Sequence, residues 1–264
     1  MKNRGSEKFQ WWDFHYDWQK NSGEVIGETP LTIYVNGVEV ATFMGTPLNQ
    51  DWLAVGFLAN ESILNSIDEI EDLRVTTEGC CIDVLLNRSV EIPDKIIFTS
   101  GCGKGVTFSD NQIEFEPFPI TTLTSPEIIL QAFKLLQTKD SLYAKARGVH
   151  AAGLLGLEEN KLIKVAEDIG RHNSIDKLRG ACLLEGIPTA GRALLTTGRI
   201  SSEMIRKGAL MGCPVIASRT SPTSLTVALA EKWNITLIGY ARHGKLRVYC
   251  APERLNINRN TGGS

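Results

Sequence analysis

A Cys-x-x-Cys pair, a long apolar run and an excess of one charge sign are all missing from this chain of 264 residues. The first absence removes a common zinc-ligand spacing, and His15, His150, His172 and His243 are dispersed too, so no structural metal is expected. The six cysteines, Cys80, Cys81, Cys102, Cys182, Cys213 and Cys250, are scattered rather than spaced as the disulfide framework of a small secreted domain. Without a membrane-length apolar run, and with no signal-peptide core in Met-Lys-Asn-Arg-Gly-Ser-Glu at the start, a cytoplasmic protein away from the membrane is expected. The formal net charge of −2 argues against a broad nucleic-acid footprint. Hydrophobic content of 42% and charged content of 22% are those of an ordinary globular chain with ample core.

What is present begins with Cys102, in Thr99-Ser100-Gly101-Cys102-Gly103-Lys104-Gly105. Glycines on both sides leave the backbone unrestricted, and the Lys104 ammonium favours the thiolate, which is the reactive form. The competing reading is a small buried hydrophobe, the commoner fate of cysteine.

Twenty residues at the start crowd Trp11, Trp12, Phe14, Tyr16 and Trp18 into a strand-like arm (residues 1–22). The arm is expected to pack onto the body or to contact a second chain. A smaller α+β domain, 23–122, follows: a hairpin over 31–43 turning at Asn36-Gly37, a helix from Asn49 to about Leu64, and strands near 74–77 and 81–86. Domain 123–264 opens with helix 126–138 and strands 149–157 and 161–166, then helix 174–184. The run continues as strand 193–197, helix 202–211, strand 215–218, helix 222–233 capped by Ser221, and strands 235–240 and 246–250. This rhythm predicts an α/β architecture, a largely parallel sheet with helices on both faces.

Four predicted strand ends carry arginine: Arg171, Arg199, Arg219 and Arg242. Ligands of open α/β sheets bind at the carboxyl ends of strands, where helix N-termini also favour anions. The set suggests a cradle for a phosphate-bearing, nucleotide-like molecule. Asp168 and His172 share one loop, either as a carboxylate–imidazole couple for proton transfer or as an inert cap and a satisfied histidine. His150 is open in the same way.

Several runs closely resemble the formate dehydrogenase accessory family (FdhD/NarQ). They are Gly148-Val149-His150-Ala151-Ala152, Glu167-Asp168-Ile169-Gly170-Arg171-His172-Asn173-Ser174-Ile175-Asp176-Lys177, Thr197-Gly198-Arg199-Ile200-Ser201-Ser202-Glu203-Met204, Ser218-Arg219-Thr220-Ser221-Pro222-Thr223 and Gly239-Tyr240-Ala241-Arg242-His243-Gly244-Lys245. The resemblance spans Glu28 to Leu255. It implies a cytidine deaminase-like three-layer C-terminal domain and a homodimer. It also implies a sulfur carrier that takes persulfide sulfur from a cysteine desulfurase and gives it to the molybdenum (or tungsten) bis-guanine-dinucleotide cofactor, before that cofactor enters formate dehydrogenase. Cys102 would bear the persulfide. Tyr240, Ala241, Arg242, His243, Gly244 and Lys245 would contact the cofactor, for which GDP is a mimic, and Arg199, Arg219, Asp168 and His172 are expected to join them in binding it. In the mechanism expected from these residues, Arg199, Arg219, Arg242 and Lys245 neutralise the pyrophosphates, and Asp168 or nearby polar groups read a guanine edge. One departure is plain: many members carry Cys-x-x-Cys in this loop, and here the second cysteine is absent, which leaves a cofactor chaperone without sulfur transfer as the alternative. Deaminase chemistry is not implied, because the His-x-Glu and Pro-Cys-x-x-Cys zinc signature is missing. A nucleotide hydrolase on the same fold would have only Asp168 and His172 to work with.

Overall fold

The computed structural model describes residues 5–76, 79–90, 97–99, 105–107, 114–121 and 123–255. Strands β1 (Ser6–His15) and β2 (Asp17–Ile26) form a hairpin that runs four residues beyond the expected arm. Next, β3 (Thr29–Val35) and β4 (Val38–Gly45) turn at Asn36-Gly37, both at positive φ, as the residue types predict. With β5 (Ile70–Val75) and β6 (Cys81–Leu86) they make a sheet of order β4-β3-β6-β5. Leu31, Ile33, Val35, Ile82, Val84 and Leu86 alternate onto one buried face and meet Leu53, Phe57 and Leu58 of helix α1 (Gln50–Asn60). Two short strands, β7 (Ile97–Thr99) and β8 (Gly105–Thr107), pair with each other.

The second sheet has the order β10-β9-β11-β12-β13-β14. Its strands are β9 (His150–Gly156), β10 (Lys161–Asp168), β11 (Ala193–Thr196), β12 (Val215–Ser218), β13 (Thr236–Arg242) and β14 (Lys245–Cys250). Only β11–β12 and β12–β13 are parallel, so the largely parallel sheet expected from sequence is a mixed one. The reason is the length of the links. Tight turns join β9 to β10 and β13 to β14 and force antiparallel pairing, whereas helical crossovers alone allow parallel strands.

Helices lie on both faces, as expected. Helices α4 (Arg171–Leu184), α5 (Ser202–Leu210) and α6 (Ser224–Lys232) cover Ala152, Leu154, Leu194, Ile216 and Leu237. Helix α2 (Pro126–Leu135) covers Leu155, Leu195, Ala217 and Ile238 opposite. A five-residue helix, α3 (Leu142–Ala146), follows it. Helix α6 starts later than predicted, because Thr223 rather than Ser221 caps it, while Pro222 bridges to Ile200.

Helix α1 is buried on nearly every side because it is pressed between the first sheet and α4. The approach needs glycine. A Cβ on Gly56 would sit 1.7 Å from the Asp176 carbonyl oxygen, and one on Gly180 would sit 1.9 Å from that of Trp52. The arm behaves differently: it meets the body at its root, beside α3, and leaves Trp12, Phe14, Tyr16 and Trp18 exposed. Packing of the arm onto the body, the first of the two expectations, is therefore not what the fold provides.

Candidate functional site

The run Glu167–Lys177 crosses from the end of β10 into α4, and its polar side chains mostly turn inward. Asp168 is fully buried. Its carboxylate pairs with Lys177 at 2.6 Å and accepts from the backbone N–H groups of Thr46 and Gly170 and from the Asn173 amide. Lys177 also donates to the Thr46 carbonyl, and Asn173 to that of Met44. These bonds clasp the end of β4 to the start of α4. Asp168 thus has no acceptor to spare for a guanine edge, and it is not coupled to His172; the proton-transfer pair and the hydrolase it would serve are both removed.

His172 points elsewhere, with Nε2 3.3 Å from Glu203 and 3.4 Å from the Ser201 hydroxyl. Burial, helped by the cations Lys207, Arg171 and Arg199, pushes it down to about 3, so it is neutral and Nε2–H donates to Glu203. Burial in turn raises Glu203. The network continues inward: Lys207 bonds both oxygens of Asp176 at 2.8 Å, Asn60 donates to Asp176, and Arg179 donates to Asn60. His172 is a partly buried structural member of this set and does not line the cleft on the other side of these strand ends.

The open chemistry lies on the other side of the same strand ends. A cleft of about 710 Å³ is lined there by Thr197 after β11, Arg219 and Thr220 after β12, and Ala241 to Gly244 at the β13–β14 turn. Val149 and His150, entering β9, close a third side, and Leu130, Phe133 and Lys134 of α2, Gln137 just after it and Tyr143 of α3 form the wall. Lys134, Arg219 and Arg242 supply positive charge, and no Asp or Glu is among the lining residues. A cationic cleft without a carboxylate favours an anion.

Local structure explains why the groups are where they are. His243 and Gly244 both take positive φ, the conformation of a tight hairpin turn, which thrusts Arg242 and Lys245 out as an exposed pair. Arg219 is anchored through Gln137 and the Phe133 carbonyl, and its guanidinium lies over the Phe133 ring. Glu167 accepts from the backbone N–H groups of Leu142 and Tyr143, which fixes α3 and with it the Tyr143 wall. Thr197 Oγ1 accepts from Ala151 N–H, leaving its own proton for His150 Nδ1 at 3.4 Å. In that arrangement Nε2 of His150 carries the proton and is a donor for a ligand. Burial and the nearby Arg171 charge lower His150, which keeps it neutral.

Of the residues expected to bind, the cleft brings together Arg219, Ala241, Arg242, His243 and Gly244. Arg199 and Lys245 are exposed but do not line it, and Tyr240 stacks with Arg247 instead. The helix N-termini nearby are closed by their own hydroxyls, Ser201 for α5 and Thr223 for α6. Sequence reasoning missed Phe133, Lys134, Gln137 and Tyr143, and it left His150 undecided.

Cys102 lies outside the described residues, in the segment that joins β7 to β8, where Thr99 pairs with Gly105. The other cysteines can be compared directly. Burial pushes Cys182 up to about 11, Cys213 to about 12 and Cys250 to about 11, so these three stay protonated and unreactive. Cys80 and Cys81 are partly exposed.

Residues 26–256 match the model of the FdhD/NarQ family. The chain belongs to that family. The sulfur carrier protein FdhD of Staphylococcus haemolyticus is 38% identical over 237 residues, covering 87% of this chain and 89% of that protein. The Bacillus subtilis protein of the same name is 34% identical over 251 residues, covering 90% and 95%. A crystal structure from Desulfotalea psychrophila, described as a formate dehydrogenase accessory protein, superposes with a TM-score of 0.79 at 29% identity, covering 96% of this chain and all of that one. Among the described residues no helix is long and apolar enough to cross a membrane, and no cluster of three or more His, Cys, Asp or Glu side chains could hold a metal ion.

Proposed function

We propose that this chain is a sulfur carrier for formate dehydrogenase, loading persulfide sulfur from a cysteine desulfurase onto the molybdenum bis-guanine-dinucleotide cofactor before its insertion. The observation that carries the reading is the acid-free cationic cleft at the strand ends, lined on one side by Ala241 to Gly244, part of the stretch that the family resemblance assigns to the cofactor. The names of the FdhD relatives supply the sulfur chemistry. Arg219, Arg242 and Lys134 would neutralise the pyrophosphates, the neutral His150 would donate to a base or phosphate acceptor, and the half-buried Tyr143 ring offers aromatic surface to a guanine. The working form is a cytoplasmic homodimer.

Loading is thiol–persulfide exchange. The Cys102 thiolate attacks the outer sulfur of the donor persulfide, a new S–S bond forms, and the donor cysteine departs as its thiolate. No electrons are gained or lost overall. Delivery differs, because sulfane sulfur must accept two electrons to become a sulfido ligand. With no Cys-x-x-Cys partner to form a disulfide, those electrons come from the metal of the cargo, which arrives reduced, and Cys102 leaves as thiolate. Nothing in this sequence of steps needs a second loop cysteine.

A Cys102→Ala protein should bind GDP like the parent and fail to restore formate dehydrogenase activity in cells lacking the carrier. Full restoration would reduce the protein to a cofactor chaperone that moves no sulfur, the reading favoured by the missing second cysteine. Hydrolysis of GDP in the same samples would point away from both.

A further inference from the structure

Neither the clasp nor the cleft uses the β1–β2 arm, and the family match begins only where the arm ends. Its pairings run from Ser6–Ile26 to His15–Asp17 without a bulge, its strands contain no proline, and among the described residues no third strand joins either edge. Each edge is therefore a row of backbone N–H and C=O groups with no neighbouring strand, the kind that other strands pair with. A two-stranded hairpin with no core behind it is marginal in water, whereas four strands are not. Each face also carries exposed large apolar side chains among polar ones. Trp12, Phe14 and Trp18 share one, with the last two rings 5.2 Å apart, and Phe9, Trp11 and Val25 share the other. Tyr16 at the tip is 92% exposed.

Charge along β2 decides what fits. Antiparallel pairing of two β2 edges about a two-fold axis at Ser22 keeps the same faces aligned. It sets Lys20 opposite the partner's Glu24, and Glu24 opposite the partner's Lys20. It also sets Asn21 opposite the partner's Gly23, so no bulk is forced together. Pairing two β1 edges about Gln10 would instead set Glu7 against the partner's Asp13, acid on acid. In the β2 register, Trp18 lies level with the partner's Ile26. Each aromatic tip then reaches the root of the other arm, roughly 30 Å along the strand, beside the partner body. That root packs on α3, whose Tyr143 walls the cleft.

We propose that the arm docks on a second copy of this chain through β2–β2 edge pairing about Ser22, so that each arm's aromatic tip seats beside the other copy's α3. The inference rests on the homodimer of the preceding reading and adds where that dimer is made. Light scattering on the full chain after size exclusion tests it, with circular dichroism to verify folding. The parent should be a dimer, Lys20→Glu should raise the dimer dissociation constant at least tenfold, and Lys20→Glu combined with Glu24→Lys should return it toward the parent. A monomeric parent overturns both the homodimer and the arm. A parent dimer unaffected by Lys20→Glu leaves the homodimer standing and removes the arm from it. Failure of the double exchange to recover pairing overturns the register.

Discussion

Charged side chains cluster in two regions of this protein, and the two could hardly be used more differently. In the clasp between β4, α1, α4 and α5, Asp168, Lys177, Asp176 and Lys207 are buried, and each finds its counter-charge within the chain. In the cleft, Lys134, Arg219 and Arg242 face a space with no acid in its lining. Both lie at the ends of the same sheet, and the family-specific run Glu167–Lys177 serves mainly the first. A distinctive motif can thus be architectural, holding the scaffold on which a plainer set of residues binds the ligand.

Breaking the clasp should cost the most. Asp168→Ala leaves the Lys177 ammonium buried without its counter-charge, and chemical denaturation should show a loss of about 3–5 kcal/mol. Replacing both members, Asp168→Leu with Lys177→Met, should recover much of that loss; an equally unstable double variant would mean that the carboxylate works through its backbone bonds rather than its ion pair.

The cleft should respond in the opposite currency, affinity rather than stability. Arg242→Ala should weaken GDP binding by about tenfold to a hundredfold, the worth of a charge-assisted hydrogen bond, while denaturation shifts by under about 0.5 kcal/mol. Unchanged affinity in calorimetry would erase the contrast between the regions.

Acid sharpens the comparison further. His172 is neutral in the fold down to about 3, whereas an unfolded histidine protonates near 6.5. The unfolded chain therefore binds more protons between those values, and stability falls as pH drops through that window, by about 1.4 kcal/mol per pH unit from this residue. The lowered His150 adds in the same sense. His172→Gln should flatten the slope of stability between pH 6 and 4 by about that amount; an unaltered slope would place the proton uptake elsewhere. The smallest effect should come from His150→Phe, a threefold to tenfold loss of GDP affinity with no new pH dependence above pH 6.5.

Much of this was readable locally. Asn36-Gly37 and His243-Gly244 announced their turns because positive φ is a property of the residues themselves. Arg219 after β12 and Arg242 at the end of β13 were found because the strand pattern fixes where strands end. What stayed hidden depended on distance along the chain. Asp168 chose Lys177 and the Thr46 backbone, and His172 chose Glu203, partners that only the tertiary fold brings close. The α2 wall was missed because Phe133 and Lys134 look like any amphipathic helix, and Tyr143 sits on a helix too short to show a period. Strand direction misled for a simpler reason: hairpins at both flanks of the sheet resemble the alternation of a parallel one until the lengths of their links are counted.

The account stands most directly on the sulfur itself. After incubation with a cysteine desulfurase and cysteine, peptide mass spectrometry should find one added sulfur atom on the peptide containing Cys102, removable by a thiol reductant, with Cys182, Cys213 and Cys250 unmodified. A Cys102 peptide that gains no sulfur from an active desulfurase would contradict it.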